Sequence, residues 1–130
     1  LGLGDHVERL RAQPFDAIPP LLAARGACFY LQTSHYEGMS LSVTEAMQLG
    51  LVPVVTPVGE IARYAGPDRA VLLDPETDAG DDRTSGEILT LLESPHDYAA
   101  RRAAAISAWT QSATYDISMR DTVARSLATP

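Results

Sequence analysis

"ACFYLQTSHYEGMSLSVTEAMQLGLVPVV", Ala27 to Val55, runs from an apolar segment through a polar loop and an amphipathic segment into a second apolar one. The first run, 27–32, follows Gly26 and is rich in aromatic and aliphatic residues, which predicts a short strand buried on both faces in mid-sheet. Residues 42–49 predict a helix ended by Gly50, and 51–57 predict a second buried strand in which Pro53 is tolerable only near the start.

The same alternation continues outward. Upstream, "IPPLLAARG" predicts a helix capped by Asp16, with Pro19 in its first turn and Gly26 as its stop. "HVERLR", 6–11, is read as a strand on Val7 and Leu10. Downstream, "EIARYA" predicts a short helix and "AVLLD" a third buried strand, stopped by the acidic loop "PETDAGDD". From Thr84 on, three helices are expected, over 85–94, 94–112 and 115–128. Spacings of three or four put Tyr98 and Trp109 on one helical face, packed on the sheet layer. Strands alternating with helices across short loops predict an α/β domain, a Rossmann-like doubly wound parallel sheet with a helical C-terminal tail over about 84–130.

The 130 residues suffice for one hydrophobic core. The apolar share of 45% and charged share of 21% fit a globular domain rather than a disordered chain. A net charge of −7 argues against nucleic-acid or anionic-lipid partners, which need clustered cations. The single cysteine, Cys28, forms no internal disulfide and fits a reducing compartment. No run approaches the roughly 18 apolar residues of a membrane span, so a soluble cytoplasmic protein is expected. No Cys/His/Asp spacing suggests a metal site, "DPETDAGDD" lacks a calcium-loop pattern, and neither G-x-x-x-x-G-K-[ST] nor G-x-G-x-x-G occurs.

Ligands of doubly wound sheets bind beyond the carboxyl ends of the strands, which points to "TSHYEGMS". Ser42-Val43-Thr44-Glu45 matches a capping box, with the Ser42 hydroxyl and the Glu45 carboxylate each satisfying a backbone N–H. Glu37 lies in the loop, outside any helix. Gly38 permits close approach of a ligand, and Met39, Ser40 and Leu41 carry N–H groups into the helix start, where an anion can be held. An acid beside such a nest suits neutral hydroxyls next to a phosphate, as in a sugar nucleotide.

The segment from His35 to Ile61 resembles the signature of retaining glycosyltransferases of the GT-B fold, in particular the family 4 type. Two glutamates are separated by seven residues, Glu37 opens "EGMS", Glu45 opens "EAM", and Gly50 precedes Pro53-Val54-Val55. The likeness runs from about Gly4 to Pro75, with Thr33 and the single glycine of "TPVGEI" as departures. It implies a partial C-terminal donor-binding domain over 1–130. It also implies that Glu37 contacts the donor hexose near the reacting carbon. The N–H groups of Gly38, Met39, Ser40 and Leu41 would hold the sugar and distal phosphate, and Glu45 the ribose hydroxyls. The activity implied is transfer of a hexosyl group, with retention, from a nucleotide diphosphate sugar, with no cofactor and no metal.

Family members carry a glycine-arginine turn and a lysine that neutralise the donor diphosphate, and neither is found here. "VERLRAQP" resembles the third strand of that domain, placing Ala12 and Gln13 beside the base. Two strands, the cations and an N-terminal acceptor domain would then lie upstream, and the chain alone would be inactive. Membrane association, if any, would come through that missing domain. With those strands absent, the strand at 27–32 would show an unpaired edge, so a homo-oligomer or swapped dimer is expected; a monodisperse monomer by light scattering would count against it. The alternative is a non-catalytic sugar-nucleotide-binding or assembly module. A phosphorylation-switched receiver domain lacks its strand-end aspartate here.

Overall fold

The computed structural model of the chain describes residues 4–74 and 78–113. Its elements are helix α1 (Ile18–Ala24), strand β1 (Phe29–Gln32), helix α2 (Leu41–Gln48), strand β2 (Val52–Val55), helix α3 (Ile61–Tyr64), strand β3 (Val71–Leu72), and helices α4 (Asp78–Glu93) and α5 (Pro95–Ala108). A π-helical turn, Trp109–Ala113, follows α5. The sheet order is β1-β2-β3, all parallel, with Phe29 opposite Val52 and Val54 opposite Val71.

Strand alternation sends side chains to two cores. Val55 joins Val43 and Met47 of α2, Ile61 and Tyr64 of α3, and Ala105 and Ala108 of α5, with Tyr30, Leu72 and Trp109 packed around them. Val54 and Val71 meet Leu91 of α4 on the opposite face, with Phe29 and Ile88 beside them. Helices therefore cover both faces, as the alternating sequence requires. Each fully buried Val, Ile or Met contributes roughly 1.5–3 kcal/mol through apolar burial.

Pro53 is compatible with a central strand because of its register. Val52 N donates to Cys28 O and Thr56 N to Gln32 O, so even positions of β2 bond toward β1. Position 53 therefore faces the β3 side, one residue before pairing with β3 begins at Val54, and the N–H that proline lacks is not needed there. By the same parity, Phe29 and Leu31 turn their main-chain groups to the open edge of β1.

One helix closes the amino ends of all three strands. Tyr98 Oη donates to Cys28 O at 2.9 Å, Arg102 Nε to Gly50 O at 3.0 Å, and Arg101 Nη1 to Ala70 O at 3.0 Å; these carbonyls lie just before β1, β2 and β3. Tyr98 also packs edge-on against Phe29, with ring centroids 5.7 Å apart, and Arg101 pairs with Glu87 of α4. The expected seating of Tyr98 and Trp109 toward the sheet is met. α5 starts at Ser94, whose hydroxyl accepts from Asp97 N.

Several expectations are corrected. β1 is an edge strand rather than mid-sheet among the described residues, and Leu31 is 65% exposed because the cover from α4 and Tyr98 reaches β1 only at Phe29. "HVERLR" forms no strand: 7–14 carry no regular structure, lie exposed, and are tied to α1 by the bidentate Glu8–Arg25 pair at 2.7 and 3.0 Å. That contact holds the Glu8 carboxyl below its usual range. Asp16 does not cap α1; it sits inside a 3-10 turn, Phe15–Ala17, that leads straight into the helix, where Pro19 occupies the first turn. The acidic loop is shorter than expected, since α4 begins at Asp78, where acids in a first turn favour a helix start. The helix expected over 115–128 lies outside the described residues. Among the described residues no helix is long and apolar enough to cross a membrane.

Candidate functional site

At the carboxyl end of the sheet, β1 finishes on Gln32, whose backbone carbonyl holds Thr56 N while its side-chain amide organises the loop that follows. Gln32 Nε2 donates to Glu37 Oε1 at 2.7 Å and to Ser34 Oγ at 2.9 Å. Ser34 Oγ donates to the same Glu37 oxygen at 2.9 Å. Gln32 Oε1 accepts from Ser40 Oγ at 3.0 Å, Ser42 Oγ at 3.1 Å and Tyr30 Oη at 3.2 Å. Glu37 is half-buried, and its second carboxylate oxygen has no partner among the described residues.

Helix α2 begins two residues earlier than the capping-box pattern requires. Ser40 is the N-cap, in extended geometry and with no side-chain cap bond, because its hydroxyl is taken by Gln32. Ser42 and Glu45 therefore form no capping box; Ser42 turns to Gln32 Oε1, and the Glu45 carboxylate has no hydrogen-bond or ion-pair partner among the described residues. The N–H groups of Gly38, Met39, Ser40 and Leu41 likewise donate to no protein group there. Gly38 is exposed, and nothing lies within 4 Å of where a Cβ would stand, so its surface is open to a ligand.

A second loop holds the first from behind. Glu60 N donates to Gly38 O at 3.2 Å, and Gly59, at φ +57, packs so tightly that a Cβ would stand 1.9 Å from Glu37 O. Only glycine meets both demands. Tyr64, a residue only 1% exposed, donates from its hydroxyl to Ser40 O at 3.3 Å. Burial, with the charges of Glu37 and Glu60 added, pushes the Tyr64 hydroxyl up to about 12.

Glu45 and Ser42 sit on the wall of a cleft of about 560 Å³ between α1, β1 and α2. Phe15, Ile18, Pro19, Leu22, Tyr30 and Leu51 give it a mainly apolar lining. Ser42 and Tyr30 belong both to this cleft and to the Gln32 network, so the site of Glu37 and the site of Glu45 are continuous. Ala12 and Gln13 are exposed and take no part in the lining; the nearest contribution from that segment is Phe15. Among the described residues no arginine lines the cleft, and the 130 residues include no lysine. His35 is exposed, and among the described residues no cluster of His, Cys, Asp and Glu could hold a metal ion.

Sequence reasoning singled out the two carboxylates and the four amides, which the structure brings to one end of the sheet, and did not single out Gln32, Ser34 and Tyr30, which hydrogen-bond within that cluster. The available signal was a polar residue closing an otherwise apolar strand at its carboxyl end. The sequence profile of the family described as Glycosyl transferases group 1 matches residues 1–108, which takes in the whole sheet, the cleft and α5. Comparison with curated proteins found no match.

Proposed function

The chain belongs to the group 1 glycosyl transferases, and from that premise we propose that the carboxyl end of its sheet seats a nucleotide diphosphate sugar as hexosyl donor. The observation that carries this reading is a row of four consecutive unpartnered N–H groups, Gly38 to Leu41, lying between two carboxylates and opening α2. Such a row suits phosphate and sugar oxygens. Glu37, with one oxygen already held, offers the other to a hexose hydroxyl near the reacting carbon. Glu45 offers both oxygens to ribose hydroxyls, and a carboxylate is a pure acceptor well matched to a diol. The apolar wall of Phe15, Ile18 and Leu22 receives the flat faces of the nucleoside.

In the transfer itself the bond from the anomeric carbon to the phosphate oxygen breaks, and the diphosphate leaves with the electron pair. The acceptor oxygen forms the new bond, on the same face if configuration is retained. The acceptor's proton goes to the departing diphosphate, the strongest base then formed. Amide dipoles fixed before the reaction stabilise the growing negative charge without reorganising.

The test is an NMR titration of the chain with UDP-glucose and GDP-mannose. Amides 38–41 should shift on binding of at least one donor, and Glu37→Ala should weaken that donor about tenfold. Unmoved amides with both donors would overturn the reading. A second reading, a sugar-nucleotide-binding module without turnover, is favoured by the cleft wall, which among the described residues carries no cation. Donor binding with no hexosyl transfer to any added acceptor, in any assembly containing this chain, would decide for it.

A further inference from the structure

The Gln32 side chain bonds five polar side chains at this end of the sheet, those of Tyr30, Ser34, Glu37, Ser40 and Ser42, yet it is not one of the groups assigned to the donor above. We infer that Gln32 is a positioning residue: it fixes the Glu37 carboxylate for the hexose. This rests on the donor-binding reading of the site.

The orientation of the amide follows from its partners. A carboxylate only accepts, so the group 2.7 Å from Glu37 Oε1 must be Nε2, and Oε1 then faces the three hydroxyls. Glu37 Oε1 receives two donors, from Gln32 and Ser34, which locks one carboxylate oxygen and leaves the other as the only free acceptor of that group. On the far side, a carbonyl oxygen has two lone pairs, while Tyr30, Ser40 and Ser42 all bring hydroxyls to 3.0–3.2 Å of it. One proton is surplus. Ser40 is 4% exposed and stands 3.1 Å from Ser42 Oγ, whereas Ser42 is exposed and lines the cleft beside Glu45. Ser42 Oγ can also pass its proton to Ser40 Oγ, and Tyr30 lines the same cleft, so the oxygen of the Gln32 amide holds the hydroxyls of both cleft residues, Tyr30 and Ser42. One amide thereby couples the hexose end of the site to the nucleoside end.

The experiment compares Gln32→Leu, and Ser34→Ala as a milder variant, with the wild-type chain. The quantity read is the ratio of affinities for UDP-glucose over UDP and for GDP-mannose over GDP, after circular dichroism shows each variant folded. Loss of positioning lowers the ratio about fivefold in Gln32→Leu and less in Ser34→Ala, with diphosphate affinity kept within about twofold. A parallel loss of both affinities, or an unchanged ratio, overturns the inference. If the wild-type chain itself shows no preference for sugar nucleotide over diphosphate, the hexose role of Glu37 falls. Gln32 is then judged by side-chain three-bond couplings of Glu37 in the ligand-free protein. Averaging over rotamers in Gln32→Leu but not in wild type upholds its positioning role, and unchanged couplings overturn it.

Discussion

The two ends of the sheet are built from different materials. At the amino ends, single side chains of α5 reach backbone carbonyls just before each strand, with Tyr98 on Cys28, Arg102 on Gly50 and Arg101 on Ala70. Arg102 and Arg101 supply donors to carbonyls that take no backbone donor among the described residues, and Tyr98 adds a second donor to Cys28 O, which already accepts from Val52 N. At the carboxyl ends, loops meet loops through Gln32, Gly59 and Tyr64, and the free valences are left outward: four amides, one oxygen of Glu37, and the Glu45 carboxylate. The first end is closed by its own helix and the second is, under the proposed function, the end that receives the donor, a division that follows from strand direction, since the loops after parallel strands all open on one side.

The comparison breaks most severely at Gly59. Gly59→Ala puts a methyl group 1.9 Å from Glu37 O at a φ of +57, so a stability loss of about 2–4 kcal/mol in urea titration is expected, together with loss of donor binding. A neutral result would show that the two loops do not lean on each other.

Alkaline pH probes the same end. Tyr64 is protonated in both states below pH 10; above it the unfolded chain releases the proton while the folded chain holds it until about 12. Folding stability contributed by this group is therefore complete below pH 10 and declines as pH rises toward 12, by something of order 2 kcal/mol. Tyr64→Phe should remove that part of the pH dependence, measured by urea midpoints from pH 9 to 11.5.

A smaller and sharper contrast pairs one residue from each end. Tyr98→Phe, which frees the Cys28 carbonyl of one donor, should cost about 1 kcal/mol without changing ligand affinity. Glu45→Gln should leave stability within about 0.5 kcal/mol and weaken ribonucleotides relative to 2′-deoxy analogues. The reverse pattern would dissolve the distinction between the ends.

Much of the fold was legible because its signals are local. Apolar runs gave the three strands, Pro19 marked the first turn of α1, and Gly50, at φ +75 against Arg102, marked the end of α2. The two glutamates and the amides between them were legible through their spacing and through the family likeness. What stayed hidden depends on contacts distant in sequence. Ser42 reads as half of a capping box until Gln32, ten residues earlier, competes for its hydroxyl. Val7 and Leu10 suggest a strand, yet a strand exists only when a neighbour completes its ladder, and no described segment lies alongside. Leu31 reads as core because a helix was expected on each face of β1, and α4 reaches only as far as its neighbours.

Pro53 has an effect beyond being tolerated. Were β2 to thread one residue out of step against β1, the imino nitrogen would arrive where a ladder demands a proton, and Val54 and Val55 would trade cores. Both penalties fall on the misthreaded form and neither on the native one. A residue usually counted against a central strand thus acts here as a proofreader of alignment, selecting the pairing that keeps Gln32 level with the mouth of the cleft.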